Sequence, residues 1–228
     1  EMILSNNPGL YTPALQVVEK NQDSLAGEAL DAVCQASLEM ARKPSAQANT
    51  FLDPMMGAFG KCSSALRNSV ADQMLEYMTS EDGKLSGLGA QYYLKIQDQL
   101  GIEKKRFILR QVIIRLRNLV DRIDVSRRPL IEILVQGQDM LEEEDIVDLV
   151  DIMSAQFSTA KPEDVQLIGL AAVKELKKLG NRANEVVTHV LELAKSTSSD
   201  KLRQAAKEVL QRHSTEVSEK LLTEVKEF

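Results

Sequence analysis

The sequence predicts an all-α chain in which an N-terminal helical bundle is followed by paired, stacked helices. Three observations lead there. Apolar residues recur at steps of three and four along most of the length, which gathers them on one face of a helix. No β-branched residues alternate over six positions between turns, so no strand is signalled. From Glu142 onward, helical stretches of 12–18 residues are separated by short breaks of about four.

The 228 residues suffice for one large or two small domains, and we expect a bundle over residues 1–125 and helical hairpins over 126–228. With 43% hydrophobic and 27% charged residues, the composition is that of an ordinary globular protein. No stretch approaches the ~20 apolar residues of a transmembrane helix. The net charge of −6 argues against general nucleic-acid binding, which needs excess cations to neutralise phosphates. Aromatic residues make up 4% and Trp is absent, which leaves little for stacking platforms or aromatic cages. Two cysteines are too few for a disulfide framework; Cys34 and Cys62 sit on apolar stripes and read as buried, reduced thiols. A cytoplasmic or cytosol-facing location is the expectation. No basic flank or long apolar stretch follows Glu1, though a targeting segment trimmed before it is compatible with this start.

The elements follow in order. Pro8 and Gly9 mark an extended lead-in, and Pro13 opens a short helix through Val18. Asp23 or Ser24 caps the next helix, whose face is Leu25, Ala26, Ala29, Leu30, Val33, Cys34 and Leu38; it stops before Pro44. Asp53-Pro54 reads as a cap followed by a first-turn proline, opening one helix through Met55, Phe59, Cys62, Leu66, Val70, Met74 and Met78. Six of the eight methionines lie in the first 80 residues, where they fill a core or line an adaptable groove. A turn over 80–83 precedes a short helix from Ala90 to Leu100, closed by Gly101. Residues 103–123 form the most hydrophobic helix, with Phe107, Ile108, Val112, Ile114 and Leu116 spread over more than half its circumference, and it is expected to be surrounded by others.

Arg127-Arg128-Pro129 separates that helix from one over Leu130–Leu141. The acids 142–145 suit the positive end of the following helix, which carries Ile146 to Phe157. After a break at 158–161, Pro162 opens a helix to Leu179, closed by Gly180-Asn181. Helices over 182–195 and 200–212 follow, and Ser214 or Thr215 caps the last.

A self-match at a shift of 34 residues joins two of these segments. Ile168 aligns with Leu202, Ala171-Ala172 with Ala205-Ala206, and Leu176 with Leu210; Val165 and Leu179 fall opposite Ser199 and His213, departures from the match. Paired small residues let helix backbones approach closely. Residues 164–180 and 200–210 resemble the inner helices of HEAT-type repeats, and the likeness covers roughly residues 144–228. The resemblance implies a curved helical stack that binds other proteins, or in some members nucleic acid.

No catalytic motif survives inspection. Gly57–Ser64 lacks the glycine needed at Met55, the Ser or Thr needed at Cys62, and a preceding strand, so it is not a phosphate-binding loop. His189 and His213 fall on helices with no metal-ligand spacing, and residues 142–145 lack the alternation of a calcium loop. No catalytic residue, cofactor site or metal site is therefore assigned.

Charge is segregated instead. Between Glu103 and Arg128 there are nine basic residues and three acids; between Glu132 and Asp151 there are eight acids and no base. The segments either pair with each other across a helix contact or leave a basic patch for an acidic partner. We expect a non-enzymatic scaffold for a protein partner, with Arg106, Arg110, Arg117, Arg127 and Arg128 as the partner-binding candidates. Nucleic-acid or phosphoinositide binding through the basic 104–128 segment is the alternative, and an enzyme with an unrecognised site a third.

Overall fold

The computed structural model describes the whole chain except residues 1, 4–6, 22–23, 25–26, 43–47, 120–123, 158–160, 178 and 228. Among the described residues it is all-helical, with twelve α-helices, six 3-10 turns and no strand. None of these helices is long and apolar enough to cross a membrane. The chain divides into two compact units: Glu1–Tyr77 with Gly89–Lys104, and Met78–Leu88 with Lys105–Phe228. The Asp23 cap, Leu25, Ala26, the Pro44 stop, Val120 to Ile123 and most of the 158–161 break lie outside the described residues.

The first half of the chain holds α1 (Pro8–Asn21), α2 (Gly27–Ala41), α3 (Ala48–Met56), α4 (Ser64–Thr79), α5 (Gly83–Ile96) and α6 (Ile102–Asn118). Several expectations fail here. α1 already begins at Pro8, so Pro13 lies inside the helix rather than opening it after an extended lead-in. Asp53-Pro54 does not open a helix; α3 begins at Ala48 and Pro54 lies inside it. The single helix expected through Met78 is broken by a 3-10 turn at Phe59–Lys61, and α4 restarts where the Ser63 hydroxyl accepts the Leu66 N–H at 3.3 Å. Gly57, Gly60 and the Ser63-Ser64 pair favour that break, and helix capping outweighs the apolar periodicity that runs across it. Similarly, α5 starts at Gly83 rather than Ala90, because the Asp82 carboxylate accepts the Lys84 N–H at 2.9 Å.

In the first unit, α3 packs on α1 and α2 around Leu30, Leu38, Phe51, Leu52 and Met55. Met40, Met55 and Met74 are buried, so they fill the core. The Tyr77 hydroxyl donates to the Ala41 carbonyl at 2.8 Å, and Tyr92 donates to Asp53 Oδ1 at 2.7 Å. Burial raises the pKa of both phenols, and the Asp53 carboxylate adds to the effect at Tyr92.

The second unit continues with α7 (Arg127–Gly137), α8 (Glu143–Ser154), α9 (Glu163–Glu175), α10 (Ala183–Ser196), α11 (Asp200–His213) and α12 (Glu219–Glu227). The acidic start of α8 is as expected, with the Asp145 carboxylate accepting the Glu142 N–H at 3.2 Å. Gly180 takes a positive φ of 58° between α9 and α10, a conformation that favours glycine. Ser214–Glu216 is a 3-10 turn rather than the cap of the last helix, which begins at Glu219. In packing, α9 touches α7, α8 and α11, while α10 touches α8, α11 and α12. Gly169 allows part of this closeness: a Cβ there would stand 2.7 Å from the Gln156 Cβ.

The expected burial of α6 on most sides is also corrected. Ile108, Leu109, Val112, Ile113 and Leu116 are buried, but Phe107 and Ile114 are each 50% exposed. They lie two turns apart on the stripe that also carries Arg110 and Arg117, so α6 buries one face and leaves the other in water.

Candidate partner-binding groove

The structure separates the five candidate arginines. Arg127, at the start of α7, is only 3% exposed; its guanidinium donates to Gln156 Oε1 at 2.7 Å and to the Leu119 carbonyl. It fastens the end of α6 to the turn after α8. Arg110 reaches Glu142 at 2.9 Å and Asp145 at 3.4 Å, and Arg117 reaches Asp148 at 2.5 Å. The Asp145 and Glu142 carboxylates hold the Arg110 guanidinium still more firmly protonated. Arg106 is half-buried on α6, and Arg128 is exposed on α7. Within this unit the basic segment therefore meets its acidic neighbour at α8.

Other charges follow the same pattern. Arg182 bonds Asp151, Lys177 bonds Asp139, and Lys174 meets Glu208 at 2.8 Å. Lys174 and Glu208 are separated by the 34 residues of the self-match, one on α9 and the other on α11. Arg115 is buried and donates to the Ser80 carbonyl at 2.6 Å.

The two histidines also part company. His189 is exposed on α10, whereas His213 is fully buried at the end of α11. The His213 Nε2 lies 2.9 Å from the Val173 carbonyl, which can only accept, so Nε2 carries the proton there. Its Nδ1 faces Glu216 Oε1 at 2.6 Å, and the other Glu216 oxygen accepts the Leu179 N–H at 2.8 Å. This cluster closes the C-terminal end of α9. Among the described residues no three His, Cys, Asp or Glu converge as a metal-ligand set.

A groove of about 460 Å³ lies open between α7 and α9. Its floor is apolar: Ile131 and Val135 from α7, and Leu167, Ile168, Ala171 and Ala172 from α9. Among the described residues its rim carries Glu132, Asp164 and Glu175 against one cation, Arg128. Arg128 is thus the one member of the sequence-derived set that reaches this groove.

Sequence reasoning missed the floor because its residues look like ordinary core positions. A signal was available. Leu130, Ile131, Ile133, Leu134 and Val135 cover more of α7 than one packed face requires, and α9 is apolar or glycine from Leu167 through Val173. The surplus stripe on each helix is what faces the groove.

No family model matches the chain, and no curated protein matches it. A crystal structure of an engineered protein from the Northeast Structural Genomics Consortium aligns with it over 94% of each chain, with a TM-score of 0.50 and 12% identity. The likeness is one of fold.

Proposed function

We propose that the chain is a non-enzymatic helical scaffold that holds a basic amphipathic helix of a protein partner in the groove between α7 and α9. The observation that carries this reading is the apolar floor framed by three carboxylates and one guanidinium. An amphipathic helix laid into such a groove buries anchors at i, i+3 or i+4, and i+7. Each large apolar side chain that becomes fully buried contributes ~1.5–3 kcal/mol. The acidic rim favours Lys and Arg on the flanks of that helix and acts mainly on encounter rate and partner choice.

The architecture we propose for residues 126–228 is HEAT-type, with α7, α9 and α11 in one layer and α8, α10 and α12 in the other. The packing of α9 on α7 and α11, and of α10 on α8 and α12, supports it. So does the spacing of side-chain bonds between neighbouring segments: 31 residues for Arg182 and Asp151, 34 for Lys174 and Glu208, and 38 for Lys177 and Asp139. Of the arginines on the 104–128 segment, we place only Arg128 in the partner surface. Arg110, Arg117 and Arg127 then set how α6, α7 and α8 meet.

Two synthetic amphipathic peptides test the reading, sharing one leucine face but flanked by Lys and Arg in one and by Glu in the other. Fluorescence anisotropy is expected to give about tenfold or tighter affinity for the basic peptide. Val135→Asp is expected to abolish that binding while leaving the far-ultraviolet circular dichroism of the chain unchanged. Equal affinity for the two peptides, no binding of either, or full binding by the folded variant would overturn it.

A further inference from the structure

Cys34 lies in the middle of α2, and Cys62 lies 28 positions later in the link between the 3-10 turn and α4. Their sulfurs are 3.5 Å apart, and both thiols are free. We propose that Cys34 and Cys62 form a dithiol modification site that hydrogen peroxide converts into an intramolecular disulfide.

The local structure supplies what that reaction requires. A disulfide bond is about 2.05 Å long, so the sulfurs need to close by roughly 1.5 Å. Cys34 is held by the surrounding helix, but Cys62 caps the 3-10 turn in an extended conformation (φ −69°, ψ 155°), its N–H on the Phe59 carbonyl, where a small adjustment leaves the ladders of α2 and α4 intact. The strand of chain that carries Cys62 is also tethered to α2, because the Ser63 N–H donates to Asp31 Oδ1 at 3.0 Å. Asp31 is one turn before Cys34, so the tether keeps the two sulfurs on facing sides.

The two thiols are not equivalent. The hydrogen bond the two thiols share lowers the pKa of Cys62, against burial and the Asp31 charge, which raise it. The pKa of Cys34 is raised by that hydrogen bond and by burial. Cys62 is also the less deeply buried residue, at 5% exposure against 1%. Both facts favour Cys62 as the first to react, and the burial of both residues favours a small, uncharged oxidant.

The steps balance. Cys62 loses its proton, and its thiolate sulfur attacks one peroxide oxygen; the O–O bond breaks and hydroxide leaves, giving a Cys62 sulfenic acid. The Cys34 sulfur then attacks the Cys62 sulfur, the S–O bond breaks, and a second hydroxide leaves. The two hydroxides take up the two thiol protons. One peroxide is reduced to two waters as two thiols are oxidised to one disulfide.

The experiment treats the reduced, full chain with hydrogen peroxide, unfolds it in denaturant with iodoacetamide, and weighs the product. The expected product is a monomer lighter than the reduced chain by two hydrogens, carrying no alkyl group, with Cys34 and Cys62 linked in its proteolytic map. In Cys34→Ser the reaction is expected to stop at the sulfenic acid, which dimedone captures at Cys62. Two alkylated thiols in the treated wild-type chain, a disulfide only between chains, or sulfinic acid in place of the disulfide would overturn the proposal. The wild-type measurement stands whether or not the variant folds.

Discussion

In the first unit, hydroxyls and thiols meet across buried helix contacts, with Tyr77 on the Ala41 carbonyl, Tyr92 on Asp53 and Cys34 against Cys62, while Lys95–Asp53 and Lys104–Asp72 pair nearer the surface. In the second, helices meet through full charges, with α6 joined to α8 by Arg110 and Arg117, and α9 joined to α11 by Lys174 and Glu208. Among the described residues the second unit also buries ionisable side chains, Arg115, Arg127 and His213, where the first buries neutral Ser37, Gln73 and Gln97. The contrast separates two roles for charge. Exposed ion pairs contribute only ~0–1 kcal/mol each, so the α6–α8 and α9–α11 pairs act on register more than on stability. A buried guanidinium whose bonds end on a backbone carbonyl and an amide is a different matter, because its removal leaves those acceptors unsatisfied.

Two substitutions within the same arginine group test that contrast most directly. Arg127→Ala is expected to lower the unfolding free energy by ~3 kcal/mol, against less than ~1 kcal/mol for Arg117→Ala. Urea denaturation measures both, and equal losses would erase the distinction between buried and exposed arginines. In the first unit, Tyr77→Phe removes the hydroxyl from the Ala41 carbonyl and is expected to cost ~1 kcal/mol in the same assay. A loss as large as that of Arg127→Ala would mean that the first unit also depends on a buried polar tie.

The smallest effect concerns Glu208. The hydrogen bond from Lys174 lowers its pKa from the ordinary value of 4.5, with Gln204 and the Lys174 charge acting in the same direction. A carboxyl depressed in the folded state adds stability that is complete above the unfolded value and disappears as pH falls through the folded one. An NMR titration is therefore expected to place the Glu208 midpoint below 4.5, and Lys174→Ala to move it upward. An unchanged midpoint in the variant would show that the pair is too solvated to couple α9 to α11.

Much of the helical pattern was legible beforehand. Cys34 and Cys62 were read as buried thiols from their place on apolar stripes, and they are buried. The acidic first turn of α8 was read from residues 142–145 alone. Boundaries were less legible where apolar periodicity runs through a break, as it does across residues 57–63, because the face of a helix and the end of a helix are encoded by different residues. The groove was legible only as a surplus of apolar residues on α7 and α9: Ile131 and Leu167 carry no mark that distinguishes a side chain facing a neighbour from one facing an open channel.

The sequence by itself determined that this chain is helical and that its charges are segregated, because both depend on residue type and spacing along one strand of chain. Only the tertiary structure decided what those charges face. It set Arg110 and Arg117 against α8, closed Arg127 inside the second unit, and left Arg128 at the rim of an apolar groove. The reason is geometric: periodicity places a side chain on one face of its own helix, while the element that meets that face is selected by packing between helices 30 to 40 residues apart.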